Sequence, residues 1–232
     1  MKAIILAGGL GTRISEETHN KPKPMIKIGS LTLIEHIMKI YSNAGITDFI
    51  LATGYLHEII EDYFADYKEF NIRTLFTGND TQTGGRIKRV ISEYSDETFC
   101  VTYGDGLANI NISQIIDFHT KHQKLATVTA VRPIARFGRL SIEGDCVVKF
   151  GEKMQSEEGW VNGGFFVLNR KVSEYISGDE IPFEQDPLKN LAEVGELYAY
   201  QHFGFWSPVD TLREKNELEE LWKNGQPPWV TN

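Results

Sequence analysis

Near its start the chain packs three glycines ahead of one cation, in Leu6-Ala7-Gly8-Gly9-Leu10-Gly11-Thr12-Arg13. Glycines with no side chain let backbone N–H groups approach a phosphate chain closely, so the run reads as a phosphate cradle. A tight structural turn after a strand explains glycine clusters too, and Arg13 at the end of the run tips the balance toward an anion. The spacing departs from G-x-G-x-x-G, and the second strand candidate ends at Thr53-Gly54 without an acidic residue for a ribose. No Gly-Lys-Ser/Thr follows either, which disfavours a Walker A loop.

Farther along, Asn20-Lys21-Pro22-Lys23-Pro24-Met25 sets two lysines between prolines that hold the backbone out of a helix. A solvated charged turn is one reading. A lysine fixed against a triphosphate is the other, because rigid neighbours reduce the cost of ordering a flexible side chain. Tyr103-Gly104-Asp105-Gly106 follows the apolar run Phe99–Thr102, and an open parallel sheet presents its ligand-binding residues at such strand ends. Asp105 is therefore a metal candidate, with a plain Asp-Gly turn as the alternative. Asp210 stands after Phe203-Gly204-Phe205-Trp206-Ser207-Pro208-Val209, at the start of the last helix candidate, where an N-cap is the competing role. Two carboxylates, if they converge, suit Mg2+, which takes one or two of them together with waters and phosphate oxygens.

Holding these residues requires alternating elements. Short apolar runs predict strands at Ala3–Ala7, Phe49–Thr53, Ile72–Phe76, Phe99–Thr102 and Thr127–Val131. Helical periods predict Thr32–Ala44, His57–Phe64, Gly84–Tyr94, Ser113–Lys121 and Thr211–Lys223. The alternation gives an α/β class, a Rossmann-like, mainly parallel sheet flanked by helices on both faces. After Pro133 closely spaced candidates at Leu140–Ile142, Val147–Phe150 and Gly164–Leu168 predict a small antiparallel lobe that closes one side of the site. One domain is expected over 1–232: about 1–131 for the nucleotide, about 132–210 for the acceptor, and 211–232 as C-terminal helix and tail. The tail from Trp222 to Trp229 is expected to cover the core or a neighbouring subunit, the core being the safer reading.

The 232 residues are 41% hydrophobic and 24% charged, the usage of a packed soluble protein. A net charge of −8 repels nucleic acid and anionic membrane, so a polyphosphate ligand must meet locally clustered cations. Cys100 and Cys146 sit in apolar runs and are expected to be buried free thiols in a reducing compartment. The chain has no apolar run near the roughly 20 residues of a membrane span, and its first strand begins almost at Met1; a cytoplasmic protein is expected.

These stretches, with Thr83-Gly84-Gly85-Arg86-Ile87-Lys88-Arg89-Val90, Asn162-Gly163-Gly164-Phe165-Phe166-Val167-Leu168-Asn169 and Gly204-Phe205-Trp206-Ser207-Pro208-Val209-Asp210-Thr211, occur in one order along the chain. In them the sequence resembles the nucleotidyltransferases that make nucleoside-diphosphate sugars, above all their glucose-1-phosphate cytidylyltransferase branch. The resemblance implies a GT-A-like fold, transfer of CMP from CTP to a sugar 1-phosphate or similar small phosphorylated acceptor, Mg2+ as cofactor, and a homo-oligomer. It further implies that Leu6, Ala7, Gly8, Gly9, Gly11, Thr12 and Arg13 hold the nucleotide with Thr81, Gly84, Arg86, Gly104 and Asp105. Lys23 would bridge the nucleotide and the acceptor phosphate, sharing catalysis with Arg13 and Asp105. Lys153, Asn162 and Gly163 would contact the acceptor, and Asp105 and Asp210 the metal.

Chemistry of this kind asks for no general base, since a phosphate monoester carries an anionic oxygen near neutral pH. This agrees with the lack of a persuasive Ser/His/Asp or Cys/His arrangement. The chain departs from the cytidylyl branch in a shorter connection between Phe64 and Thr83 and in Glu152-Lys153-Met154, where the branch has Glu-Lys-Pro. UTP or dTTP as donor, a different acceptor, and a silent nucleotide-binding module are the alternatives.

Overall fold

Residues 3–7, Ala-Ile-Ile-Leu-Ala, are apolar without alternation, which only a strand covered on both faces tolerates. A computed structural model, which describes residues 1–133, 139–143, 145–151 and 159–230, places them in the middle of a sheet. In chain order the strands are β1 (Lys2–Ala7), β2 (Lys27–Ile28), β3 (Leu31–Thr32), β4 (Asp48–Thr53), β5 (Asn71–Phe76), β6 (Thr98–Tyr103) and β7 (Gly106–Ala108). They continue with β8 (Ala126–Val131), β9 (Arg139–Glu143), β10 (Cys146–Gly151), β11 (Val161–Asn162), β12 (Phe166–Asn169), β13 (Leu197–His202) and β14 (Trp206–Pro208). The helices are α1 (Ser15–Thr18), α2 (Leu33–Ser42), α3 (His57–Phe64), α4 (Thr83–Glu93), α5 (Ile112–His122), α6 (Asp186–Glu193) and α7 (Leu212–Lys223).

Among the described residues the main sheet runs β11-β8-β12-β6-β1-β4-β5, with β13 also on β8. Pairing is parallel for β1 with β4 and β6, β4 with β5, and β8 with β13. The period of two sorts the side chains into two cores. Ala3, Ile5, Ala7, Phe49, Leu51 and Cys100 meet α2, α3, α5 and α7 on one face. Ile4, Leu6, Ile50, Ala52, Phe99 and Val101 meet α4 and α6 on the other. Helix α2 begins at a capping box, Thr32 accepting from the Glu35 N–H while Glu35 accepts from that of Thr32, which trims the expected Thr32–Ala44 at its start.

Two expectations need correction. The Gly164–Leu168 run does not join the antiparallel lobe expected after Pro133: β12 lies inside the main sheet, antiparallel between β6 and β8. The reason is a bulge: β11 and β12 both pair with β8, and Gly164 and Phe165 between them take φ of 75° and 47°. Of the three strands expected in that lobe, β9 and β10 do form a separate antiparallel hairpin. Cys146 is exposed, because its apolar run sits on that hairpin, where Val147 and Val148 face solvent as well. Cys100 is buried as expected, and burial pushes its thiol up to about 12. Among the described residues no helix is long and apolar enough to cross a membrane.

The tail covers the core. Trp229 is buried, stacks on Phe205 and donates its Nε1–H to His36 Nδ1 at 3.1 Å, while His36 Nε2 bonds the Ile28 carbonyl at 3.0 Å. His36 is thus held neutral, and burial lowers its pKa. His119 and His122 share the Thr127 hydroxyl, and burial draws His119 down to about 4. The unfolded chain binds these protons below about 6.5 whereas the folded chain resists them, so their contribution to stability is complete above that pH and falls as pH drops. Tm is therefore expected to decline between about pH 6.5 and 4 even where carboxylates stay ionised; a Tm that is flat or rises over that span would refute the neutral assignment.

Candidate active site

Strands β1 and β6 end side by side, and their loops open into a cleft of about 1380 Å3. Gly104 N–H donates to the Leu6 carbonyl at 3.1 Å, tying the glycine run to the Asp105 turn. The prolines have the effect expected of them: residues 23–25 form a single 3-10 turn, and Lys23 is buried at 7% exposure. Lys21 instead pairs with Glu17 at 3.1 Å on the surface, so the solvated-turn reading fits one lysine and fails for the other.

The Lys23 ammonium donates to Asp105 Oδ2 at 2.5 Å and to Asp210 Oδ1 at 2.6 Å, and Arg13 Nη1 donates to Asp210 Oδ2 at 2.5 Å. Residues separated by up to 197 positions thus form one cluster of two cations and two carboxylates. The N-cap role that competed for Asp210 belongs to Thr211, which accepts from Glu214 N, while Glu214 Oε2 accepts from the N–H groups of Asp210 and Thr211. The capping box holds the backbone and leaves the Asp210 carboxylate to the cleft. Strand β14, paired with β7 through Pro208↔Gly106, brings Asp210 alongside Asp105, and Val209 N–H donates to the Asp105 carbonyl at 2.9 Å.

Arg86 lies beneath the glycine run. Its Nη1 donates to Thr53 O, Thr77 Oγ1 and Gly78 O at 2.6–2.9 Å, and Nη2 to Gly8 O and Asn79 O at 2.9 and 3.4 Å. Among the described residues no carboxylate pairs with it. Burial and the neighbouring Arg89 lower it to about 10, which still leaves a full positive charge at neutral pH under a loop suited to anions. The guanidinium also explains Gly8, where an added Cβ would lie 2.2 Å from its central carbon, whereas a Cβ on Gly9 meets nothing within 4 Å. Gly8→Ala is therefore expected to cost roughly 1–3 kcal/mol of stability by overpacking. Gly9→Ala should leave Tm unchanged while weakening nucleotide binding, since Gly9 faces the cleft. Thermal melts and nucleotide titration of the two variants check this; equal Tm losses would contradict it.

The cleft is lined by Leu6, Gly8, Gly9, Gly11, Thr12, Arg13, Lys23, Thr81, Arg86, Gly104, Asp105, Asn162 and Asp210. Ala7 is instead fully buried in β1, Gly84 backs on the Ile181 carbonyl, and Gly163 packs on Val131 with its carbonyl bonded by Trp206 Nε1, so these three stand behind the wall. Lys153 lies outside the described residues. Glu184, absent from the sequence-based candidates, lines the cleft as well; it accepts from Tyr103 and Thr83. No spacing signalled it, because it is one of several carboxylates in a loop that carries no motif.

A family model described as nucleotidyl transferase matches residues 2–215. The chain belongs to that family. As a nucleotidyl transferase it is 48% identical over 256 aligned positions to the glucose-1-phosphate cytidylyltransferase of Salmonella typhi, covering 100% of this chain and 99% of the relative. It is 32% identical to the D-glycero-alpha-D-manno-heptose 1-phosphate guanylyltransferase of Aneurinibacillus thermoaerophilus, over 94% and 99% of the two chains. The alignment spans 256 positions against the 232 residues of this chain, so at least 24 of them have no counterpart here. In fold it matches the crystal structure of HddC from Yersinia pseudotuberculosis with a TM-score of 0.77 at 24% identity, over 95% and 99% of the chains.

Proposed function

We propose that this nucleotidyl transferase moves CMP from CTP to a sugar 1-phosphate and releases pyrophosphate. The observation carrying this is the Lys23–Asp105–Asp210–Arg13 cluster at the end of the glycine run. The donor and acceptor follow the cytidylyltransferase that shares 48% of its residues. In this reading an anionic oxygen of the acceptor phosphate attacks the α-phosphorus in line. One P–O bond forms as the bond to the β-phosphate's bridging oxygen breaks, and pyrophosphate carries away that electron pair. No proton leaves the nucleophile, so no base is needed.

Lys23 and Arg13 supply positive charge to the phosphate oxygens, and backbone N–H groups of residues 8–13 orient the chain of phosphates. Arg86 keeps the loop in place from below. Asp105 and Asp210 fit Mg2+, since both carboxylates already reach a single cationic nitrogen and leave coordination sites for water and phosphate. When bound, Mg2+ would neutralise phosphate charge there. Asn162, and Lys153 by the resemblance, serve the acceptor.

The test is pyrophosphate release in Mg2+, with CTP, UTP, dTTP, ATP and GTP each offered with glucose 1-phosphate and other sugar 1-phosphates. CTP with a sugar 1-phosphate should be fastest, and a chelator should stop it. Preference for another nucleotide keeps the chemistry and moves the base. Nucleotide binding with no release from any pair would leave a binding module.

A further inference from the structure

Beyond the charged cluster, a directional chain of hydrogen bonds runs along the cleft wall, and of its members the transfer reading uses Asn162 alone. Gly164 N–H donates to Asn162 Oδ1 at 2.9 Å, which fixes the amide so that its Nδ2 donates to the Tyr103 hydroxyl at 2.9 Å. Tyr103 O–H then donates to Glu184 Oε1 at 2.6 Å. From the other side, Phe183 N–H donates to Thr83 Oγ1 at 2.8 Å, and Thr83 O–H donates to Glu184 Oε2 at 2.6 Å. Every donor points toward Glu184. Burial and the Glu184 charge raise the Tyr103 pKa well above its ordinary value, so the phenol stays a donor at any working pH.

A carboxylate offers about four lone-pair sites, and the two internal donors take one on each oxygen. Glu184 is exposed and lines the cleft with Tyr103 and Asn162, so its remaining sites face whatever enters. The donors on both sides lock the two oxygens in place and reduce the ordering cost of any contact made there. This wall accepts hydrogen bonds and carries negative charge: it welcomes a hydroxyl and repels a second anionic group. Tyr103 stands two residues before Asp105, which sets the wall next to the reacting centre.

We propose that Glu184 is a specificity-determining residue whose free lone pairs accept a hydrogen bond from a hydroxyl of the acceptor's sugar ring, a ring that carries no charge besides its phosphate. This rests on the transfer reading. The experiment compares kcat/KM for glucose 1-phosphate and its monodeoxy analogues in wild type, Glu184→Ala and Glu184→Gln. In wild type one analogue should lose on the order of 10- to 100-fold, the range for a hydrogen bond to a charged group. In Glu184→Ala that analogue and the parent should become equally good, while the KM for CTP stays unchanged; Glu184→Gln, a neutral acceptor, should fall between.

An undiminished deoxy penalty in Glu184→Ala, or a loss confined to kcat or to the KM for CTP, would overturn the proposal. If wild type released no pyrophosphate, the transfer reading would fail on its own. Calorimetric binding of glucose 1-phosphate and the same analogues would then decide for Glu184: a penalty in wild type that vanishes in Glu184→Ala supports it, and identical behaviour of the two proteins overturns it. The exposed position makes both variants compatible with folding, which their melting temperatures verify.

Discussion

Lys23→Ala is expected to lower kcat/KM by about 100- to 1000-fold, the effect of removing one preorganised electrostatic contact from a reacting centre. The loss should fall mainly on kcat, because the ammonium faces charge that builds as the α-phosphorus becomes crowded. Its partners retain some contact with water, the Asp105 side chain at 27% exposure and that of Asp210 at 11%. The two carboxylates can therefore be solvated once the lysine is gone, and the variant should fold. A folded Lys23→Ala enzyme with near-normal kcat/KM would remove Lys23 from catalysis. Asp105→Asn should behave similarly, since it deletes the negative charge that the proposal assigns to Mg2+ while preserving shape.

The second large effect is structural in origin. Arg86→Ala strips five oxygen acceptors of one guanidinium and is expected to cost about 3–5 kcal/mol, as for other buried charged networks broken on one side. At roughly 2–4 °C per kcal/mol for a chain this size, Tm should fall on the order of 10 °C. Nucleotide affinity should fall with it, because Gly8 and residues 77–79 lose their common anchor. Arg86→Lys should not rescue, since three donors on one nitrogen cannot span acceptors that a planar fork reaches. Wild-type Tm and nucleotide affinity in Arg86→Lys would show that charge alone suffices.

The strands and helices around the glycine run were legible because their apolar periods are long and clean. His57–Phe64 matches its helix to the residue, and the core strands extend the sequence reading by a single residue at one or both ends. Strand β13 was not legible: Leu-Tyr-Ala-Tyr-Gln-His lies on one side of β8 and is half exposed, so burial imposes no regular pattern. The β11–β12 bulge escaped because a Gly-Gly pair reads as an interruption, and only pairing with β8 shows the strand resuming beyond it. Arg86 left a usable trace. It falls on the apolar face of α4 with Ile87 and Val90, a placement that for a cation signals an inward role. Asp210 and Asp105 could each be proposed but not joined, since their meeting depends on β14 pairing with β7 across about half the chain. For Glu184 nothing local distinguishes the carboxylate that faces the cleft from its neighbours Asp179, Glu180 and Asp186.

The most direct test of the central claim follows the oxygen atoms. Glucose 1-phosphate labelled with 18O at its non-bridging phosphate oxygens is incubated with CTP, Mg2+ and the protein, and the products are weighed by mass spectrometry. Attack by the acceptor phosphate on the α-phosphorus retains every labelled oxygen in a CDP-sugar and releases unlabelled pyrophosphate. Label in the pyrophosphate, or consumption of CTP without a CDP-sugar, would contradict the proposed transfer.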